Sequence, residues 1–443
     1  MPAIPKPFLL SVVLLCLLLI FPCRVYPQEN KAEEYKFDVS ETEKKPYFFG
    51  GYLEVMPIFF GLDRNSALYK LLFYNRSIGT TTPEYDGTVQ LEGGLEKGLT
   101  RFYFKSNSSY IKNYAGEKHN TLLFEGYASL KPSPTFIAEA GKKTLNWGKG
   151  YAWNPAAFLD RQKNPDDPEL AREGFVVASL DFTRSWEGQA LKTFSFMPVL
   201  MPVYVGINNE FGSTGMMNFA SKFYFLLYDT DIDFMFLVGG SKSSSYGMDF
   251  SRNISTNLEV HGEFSLNDSF TKMTVDSYGN PSQNTYNAFN ALLGLRYLTA
   301  QDTTYILEYY RNGQGYSSRE MTDYFSFIDK GYAQYTQTGN AALLNRAAVL
   351  YQGPYGKMTP ESHYLYLRVS QKEPFDILYF TPALTMIANL EDKSFSLTPE
   401  FVYTGITNLE LRLRTGFITG ARGTEFGDKP NDYRIDLRIR YYF

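Results

Sequence analysis

Five arginines near the end of the chain share even-numbered positions: Arg412 and Arg414, then Arg434, Arg438 and Arg440. A guanidinium presents a planar fork that matches carboxylate or phosphate. Such a row would make a basic ladder for anionic solutes such as organic acids or acidic sugars. Glu410 and Asp436 have the same parity, so the row can equally be neutralised from within and only tune the local potential.

A second concentration of chemistry is the stretch WGKGYAWNPAAFLDRQKNPDDPELAREG, Trp147 to Gly174. Its cations Lys149, Arg161 and Arg172, with Lys142 just before it, and its acids Asp160, Asp166, Asp167, Glu169 and Glu173 could form a charged selectivity ring. They could equally hold a surface loop together by salt bridges. The acids could also gather oxygen ligands for calcium, but their spacing matches no EF-hand loop, and no metal site is expected. Trp147, Tyr151 and Trp153, with Tyr316 further on, are candidate platforms on which sugars would stack.

Catalytic patterns are scarce. The three histidines, His119, His261 and His363, lie far apart. None belongs to H-E-x-x-H, no G-x-S-x-G elbow occurs, and C-x-x-C-H is absent. His261 between Glu259 and Glu263 is the one constellation to examine, and a solvated histidine in a lumen is its simpler reading. The only cysteines, Cys16 and Cys23, leave no thiolate nucleophile or Cys-based zinc site further along the chain. No enzyme and no cofactor is expected.

What must position these residues follows from the rest of the chain. Its 443 residues are 44% hydrophobic and 17% aromatic, against the composition of a disordered protein. Phe8 to Phe21 is a charge-free apolar run behind Lys6, the pattern of a secretory signal, and is too short to span a bilayer comfortably. We assign 1–27 to a signal peptide with the mature chain starting at Gln28. Ile20-Phe21-Pro22-Cys23 sits where a lipoprotein box would lie, but Pro22 occupies the place of a small residue. Removing Lys6 and Arg24 leaves 41 basic against 47 acidic residues, a net charge of −6. That balance offers no basic field for nucleic acid.

The mean hydropathy of −0.28 would suit a soluble protein, yet a membrane β-barrel puts only alternate residues into lipid. Tyr433, Ile435, Leu437, Ile439, Tyr441 and Phe443 alternate with Arg434, Asp436, Arg438, Arg440 and Tyr442, and successive side chains of a strand point to opposite faces. The pattern repeats at Leu409 to Phe417, Phe289 to Tyr297, Leu258 to Phe264, Val89 to Glu92 and Arg101 to Lys105. A soluble sandwich would show the same alternation, but connector lengths separate the two.

Tight breaks at Glu96–Gly98, Lys131–Pro134, Asp229–Asp231, Ala300–Asp302, Lys372–Pro374 and Gly405–Asn408 alternate with long connections. Among the latter are Asn146 to Gly174, Asn267 to Thr285 and Gly313 to Thr359. Short turns at one end and long loops at the other predict an all-β fold, an outer-membrane antiparallel barrel of about 18 strands, within a range of about 16–20. Ala67 to Tyr74 reads as either a helix or a strand. The pairs Tyr309-Tyr310, Tyr364 with Tyr366, Tyr379-Phe380 and Tyr441-Tyr442 are expected in aromatic girdles at the membrane interfaces. The barrel occupies 47–443, with loop 146–174 expected to fold inward and narrow the pore, since irregular backbone is tolerated at membrane depth where it lines a water-filled cavity. Residues 28–46 form a charged periplasmic tether, too short for the plug domain of an energised receptor.

The final Tyr441-Tyr442-Phe443 resembles the C-terminal signature of Gram-negative outer-membrane barrels, which implies insertion by the barrel-assembly machinery. Gly141-Lys142-Lys143-Thr144-Leu145-Asn146-Trp147-Gly148-Lys149-Gly150 resembles a strand followed by Trp-Gly in porin-like families, among them alginate-export-type porins and capsule-assembly barrels of the Wzi type. The resemblance covers the layout of the chain and this one stretch, and carries no binding residues over.

Together these features predict a bacterial outer-membrane barrel, embedded in lipid, that passes small polar solutes, anions among them. Lys142, Lys149, Arg161, Arg172, Arg412, Arg414, Arg438 and Arg440 are its expected lining. The alternative is a sealed barrel that binds surface polysaccharide or assists its export.

Overall fold

The computed structural model describes residues 45–188 and 190–443; the signal peptide, Cys23 and all but the last two residues of the expected tether lie outside them. Among the described residues there are eighteen strands: β1 Tyr47–Leu62, β2 Thr81–Lys97, β3 Thr100–Asn113, β4 Gly116–Ser133, β5 Phe136–Lys143, β6 Phe175–Ser185, β7 Leu191–Val203, β8 Met216–Leu227, β9 Thr230–Val238, β10 Ser245–Ser255, β11 Leu258–Val275, β12 Pro281–Leu298, β13 Thr303–Arg311, β14 His363–Gln371, β15 Phe380–Asn389, β16 Phe395–Ile406, β17 Leu409–Thr419 and β18 Asn431–Tyr442. Each pairs antiparallel with its sequence neighbours, and β1 closes the ring on β18 with Tyr52 opposite Tyr442 and Val55 opposite Ile439. Closure leaves no free strand edge, as a spanning sheet in lipid requires.

The alternation sorts side chains as expected. On β18 Ile439 is exposed to the outside while Asp436 and Arg438 are buried inside; on β1 Leu53 and Val55 face out while Glu54 faces in. The expected tight turns all fall at one end of the barrel. Those from β2 to β3 and from β16 to β17 need left-handed residues, supplied by Gly98 (φ 61°) and Asn408 (φ 62°). No helix among the described residues is long and apolar enough to cross a membrane.

The other end differs from a set of plain loops. Ala67–Phe73 is a helix, α1, capped by Ser66 through the Tyr69 N–H at 3.1 Å. The connection 313–359 carries α2, Ser318–Thr338, and α3, Ala342–Gln352. Ser317 and Glu320 form a reciprocal capping box at the start of α2. The expected loop from Asn267 to Thr285 is instead a hairpin: β11 and β12 continue to Val275 and Pro281, interrupted by a register shift between Asn267 and Phe270. Its reason is packing, because Val275 joins the core that α1, α2 and α3 share through Leu68, Leu71, Tyr324, Phe327, Ile328 and Leu344. Tyr316, one of the expected sugar platforms, is buried there, stacked on Tyr355 with ring centroids 4.3 Å apart.

Three loops at this end meet in an acidic knot. The Glu425 carboxylate accepts from the Tyr364 hydroxyl at 2.6 Å and the Asn389 amide at 2.9 Å, and Asp392 accepts the Glu425 N–H at 2.6 Å. Glu361 is fully buried beside them with neither carboxylate oxygen hydrogen-bonded. Burial, reinforced by Asp392, pushes Glu425 from 4.5 up to about 7 and Glu361 to about 9. These folded loops therefore hold protons that the unfolded chain gives up. The stability so gained is complete below about pH 4.5 and is lost as pH rises through about 7 for Glu425 and about 9 for Glu361. Hydrogen exchange, corrected for the intrinsic rate, should show segments 390–394 and 421–429 better protected at pH 5.5 than at pH 8.5. Equal protection would mean that the carboxyls are ionised throughout.

Candidate functional site

Between β5 and β6 the chain leaves the wall and folds into the lumen. The bend starts at Asn146 in the left-handed conformation (φ 54°). Asp160 locks it by accepting three consecutive N–H groups, from Leu145 at 2.9 Å, Asn146 at 3.1 Å and Trp147 at 2.8 Å. Arg172 closes the base, donating to the Arg161 carbonyl at 2.7 Å and the Asn146 side chain at 3.0 Å. Arg161 bridges Glu173 at 2.9 Å and Glu210 at 2.7 Å, and Lys142 pairs with Glu173 at 2.5 Å. Of the eight cations expected to line a pore, Lys142, Arg161 and Arg172 thus fasten the loop. Lys149 holds it to the wall through Asp233 at 3.1 Å.

Two buried carboxylates of the far wall hold the rest. Glu263 on β11 accepts the N–H groups of Lys149 at 2.6 Å, Gly150 at 2.5 Å and Ala156 at 3.1 Å. Glu308 on β13 accepts those of Tyr151 and Ala152, the latter at 2.9 Å. Backbone N–H groups in a loop this irregular have no ladder to join, and buried ones need partners; here the wall supplies them. A Cβ on Gly148, whose φ is 88°, would stand 2.7 Å from the Glu263 carboxylate, so the fit has no slack. His261 is buried rather than solvated. Its Nε2 lies 2.8 Å from Glu308 and its Nδ1 3.6 Å from Glu259, placing it as the support of Glu308.

Apolar contacts complete the seat and displace two further expectations. Trp147 is 1% exposed among Ala156 and Leu159 of the loop itself and Phe175, Val199, Met201 and Met235 on the inward faces of β6, β7 and β9. Trp153 is 5% exposed, stacked on Tyr310 at 5.1 Å and packed against Tyr364 and Tyr366. Neither indole offers a face to a sugar. Tyr310, Tyr364 and Tyr366, expected in membrane girdles, point inward to make this shelf; Tyr441 and Tyr379 are exposed. Tyr151 borders a larger lumen cavity, with its hydroxyl 3.1 Å from Glu169, whereas Trp153 reaches only a space of about 40 Å³.

The loop tip faces the arginines. Asp167 accepts from Arg412 at 2.5 Å and Arg438 at 2.9 Å, with Arg414 at 3.7 Å. Arg414 also donates to the Asp166 carbonyl at 3.1 Å and to Asp436 at 3.1 Å. Glu54 takes Arg438 at 3.2 Å and Arg440 at 2.6 Å. Glu400 takes Arg412 at 3.5 Å and Arg368 at 2.7 Å. Arg368 was not anticipated, although Tyr364, Tyr366 and Arg368 share parity and hence a face. Glu410, one of the expected neutralisers, instead accepts from the Tyr442 hydroxyl at 3.0 Å.

Two lumen cavities flank the loop tip. One of about 390 Å³ opens toward the short-turn end, where Arg368, Arg412, Arg438 and Arg440 line it opposite Asp167 and Glu169. The other, about 170 Å³, lies toward the long-loop end between Asp166, Arg414 and Arg434.

Fold and site together define an architecture, a closed antiparallel β-barrel of eighteen strands with a loop folded into its lumen, and solved porin barrels share it. The barrel of Acinetobacter baumannii OccAB1 superimposes with a TM-score of 0.51 over 90% of this chain and 97% of its own, at 10% identity. Pseudomonas aeruginosa OccK11 (OpdR) and OprD give TM-scores of 0.47 and 0.45 at 10% and 9% identity, covering 89% and 91% of this chain and 96% and 97% of theirs. Identity at this level speaks for the fold alone. No protein-family model and no curated protein matches the chain.

Proposed function

We propose that this barrel is a passive channel for small polar solutes, with anions favoured at its narrowest part. The observation that carries the reading is the arginine face of β14, β17 and β18 standing across an open cavity from the inward loop. Charged side chains that line a constriction set which ions pass. The wall carboxylates Glu54, Glu400 and Asp436 temper this face without covering it. Chemistry on the solute forms no part of the reading. The sealed, sugar-binding alternative loses support because Trp147, Trp153 and Tyr316 are buried in cores.

Planar-bilayer recording of the purified protein under a potassium chloride gradient tests the reading. Discrete conductance steps with a reversal potential toward that of chloride are expected. Silence from a barrel shown to be folded by its heat-modifiable migration would sink the channel. A reversal potential toward that of potassium would sink the anion preference.

A further inference from the structure

The anion-path reading leaves one group unexplained. A selectivity ring gains nothing from an acid at its centre, yet three guanidinium groups converge on the single carboxylate of Asp167. Burial alone would raise that carboxyl, but Arg412, Arg438 and Arg414 outweigh it and hold it below its usual 3.8. It is buried and ionised, and its segment lies between the two lumen cavities, both of which Asp166 lines. Nor does the loop hang from Asp167 alone. Glu263 and Glu308 hold it from the other side, and Asp160 locks its base.

We propose that Asp167 is a tethered counter-anion, occupying the seat that Arg412, Arg414 and Arg438 build for a permeating oxyanion, so that a solute passes this point by exchanging with it. The proposal rests on the anion-path reading above. Three features support a seat rather than a simple structural pair. The arginines come from two neighbouring wall strands, with Arg412 directly opposite Arg438, so their spacing is set by the sheet and not by Asp167. Arg412 leaves its buried Nε without a hydrogen-bond partner, so a donor remains for a second oxyanion. Arg368 and Arg440 extend the same face into the larger cavity, giving a displaced or arriving anion its next contact. Competition of this kind makes the resting channel selective for solutes that bind arginine forks better than a lone carboxylate does, dicarboxylates and phosphate among them.

Calorimetric titration of succinate into the full-length barrel in detergent micelles tests the seat without requiring conductance. Asp167→Asn should bind succinate at least about tenfold more tightly than the wild type, a difference of about 1.4 kcal/mol, and Asp167→Ala should behave alike. Adding Arg438→Gln to Asp167→Asn should remove the gain. Equal or weaker binding by both Asp167 variants, in barrels of normal heat-modifiable migration, would overturn the proposal. Bilayer recording separates this from the parent reading. Ion currents with unchanged succinate affinity would leave a channel and discard the tethered anion. Tighter binding without current in any variant would keep the seat and discard the channel.

Discussion

Replacing Glu263 and Glu308 by Ala should raise single-channel conductance severalfold and open the inward loop to trypsin at Arg161, Lys163 and Arg172. The two carboxylates together accept five loop N–H groups. A buried donor left unsatisfied costs about 1–3 kcal/mol, so losing both acceptors outweighs what a few apolar contacts of Trp147 and Trp153 return. The barrel wall, held by its own ladders, should keep its heat-modifiable migration. Glu263→Gln, which retains one carbonyl oxygen, should fall between the wild type and Ala. Unchanged conductance and protease resistance in the double variant would show that apolar packing alone seats the loop.

The second large effect concerns charge. Arg412→Gln with Arg438→Gln should move the reversal potential toward cation selectivity. The direction follows from what remains: Asp167 at the loop tip and Glu400 and Glu54 on the wall stay after their partners are gone. Even in water a unit charge at about 4 Å is worth about 1 kcal/mol, so two such changes shift the anion-to-cation ratio by about tenfold or more. Arg161→Gln, which alters the loop base and leaves the arginine face intact, should move the potential far less. A reversal potential unmoved by the double variant would place the selectivity elsewhere.

Much of the wall was legible in advance because a strand's period of two ties sequence to face directly. Ile439 and Arg438 could be sorted without coordinates, and the row Arg412, Arg414, Arg438 and Arg440 follows from two adjacent strands read in the same parity. The same rule was available for Tyr364, Tyr366 and Arg368, but aromatic identity suggested a girdle and hid the shared inward face. The anchors of the loop were not legible. Glu263 and Glu308 meet backbone groups more than a hundred residues earlier, and backbone N–H groups carry no sequence signature. One signal did exist. Strands β6 to β9 are apolar on both faces, with Leu200 and Phe234 facing out and Met201 and Met235 facing in, which makes sense only if something covers the lumen side.

The separation between the loop and its anchors also sets an order of events. Residues 146–174 are made before β6, whereas Glu263 and Glu308 arrive with β11 and β13, separated from their partners by 107 and 156 residues at Ala156 and Ala152. Until those strands have joined the growing sheet, the loop hangs only from the packing of Trp147 on β6 to β9 and the bond of Lys149 to Asp233. Both anchors are nevertheless in the sheet before β18 closes the ring on β1, so the barrel closes with its constriction already seated, and a chain stalled before β13 would be an open sheet with an unanchored loop. Such a sheet would also expose the free edges that closure removes.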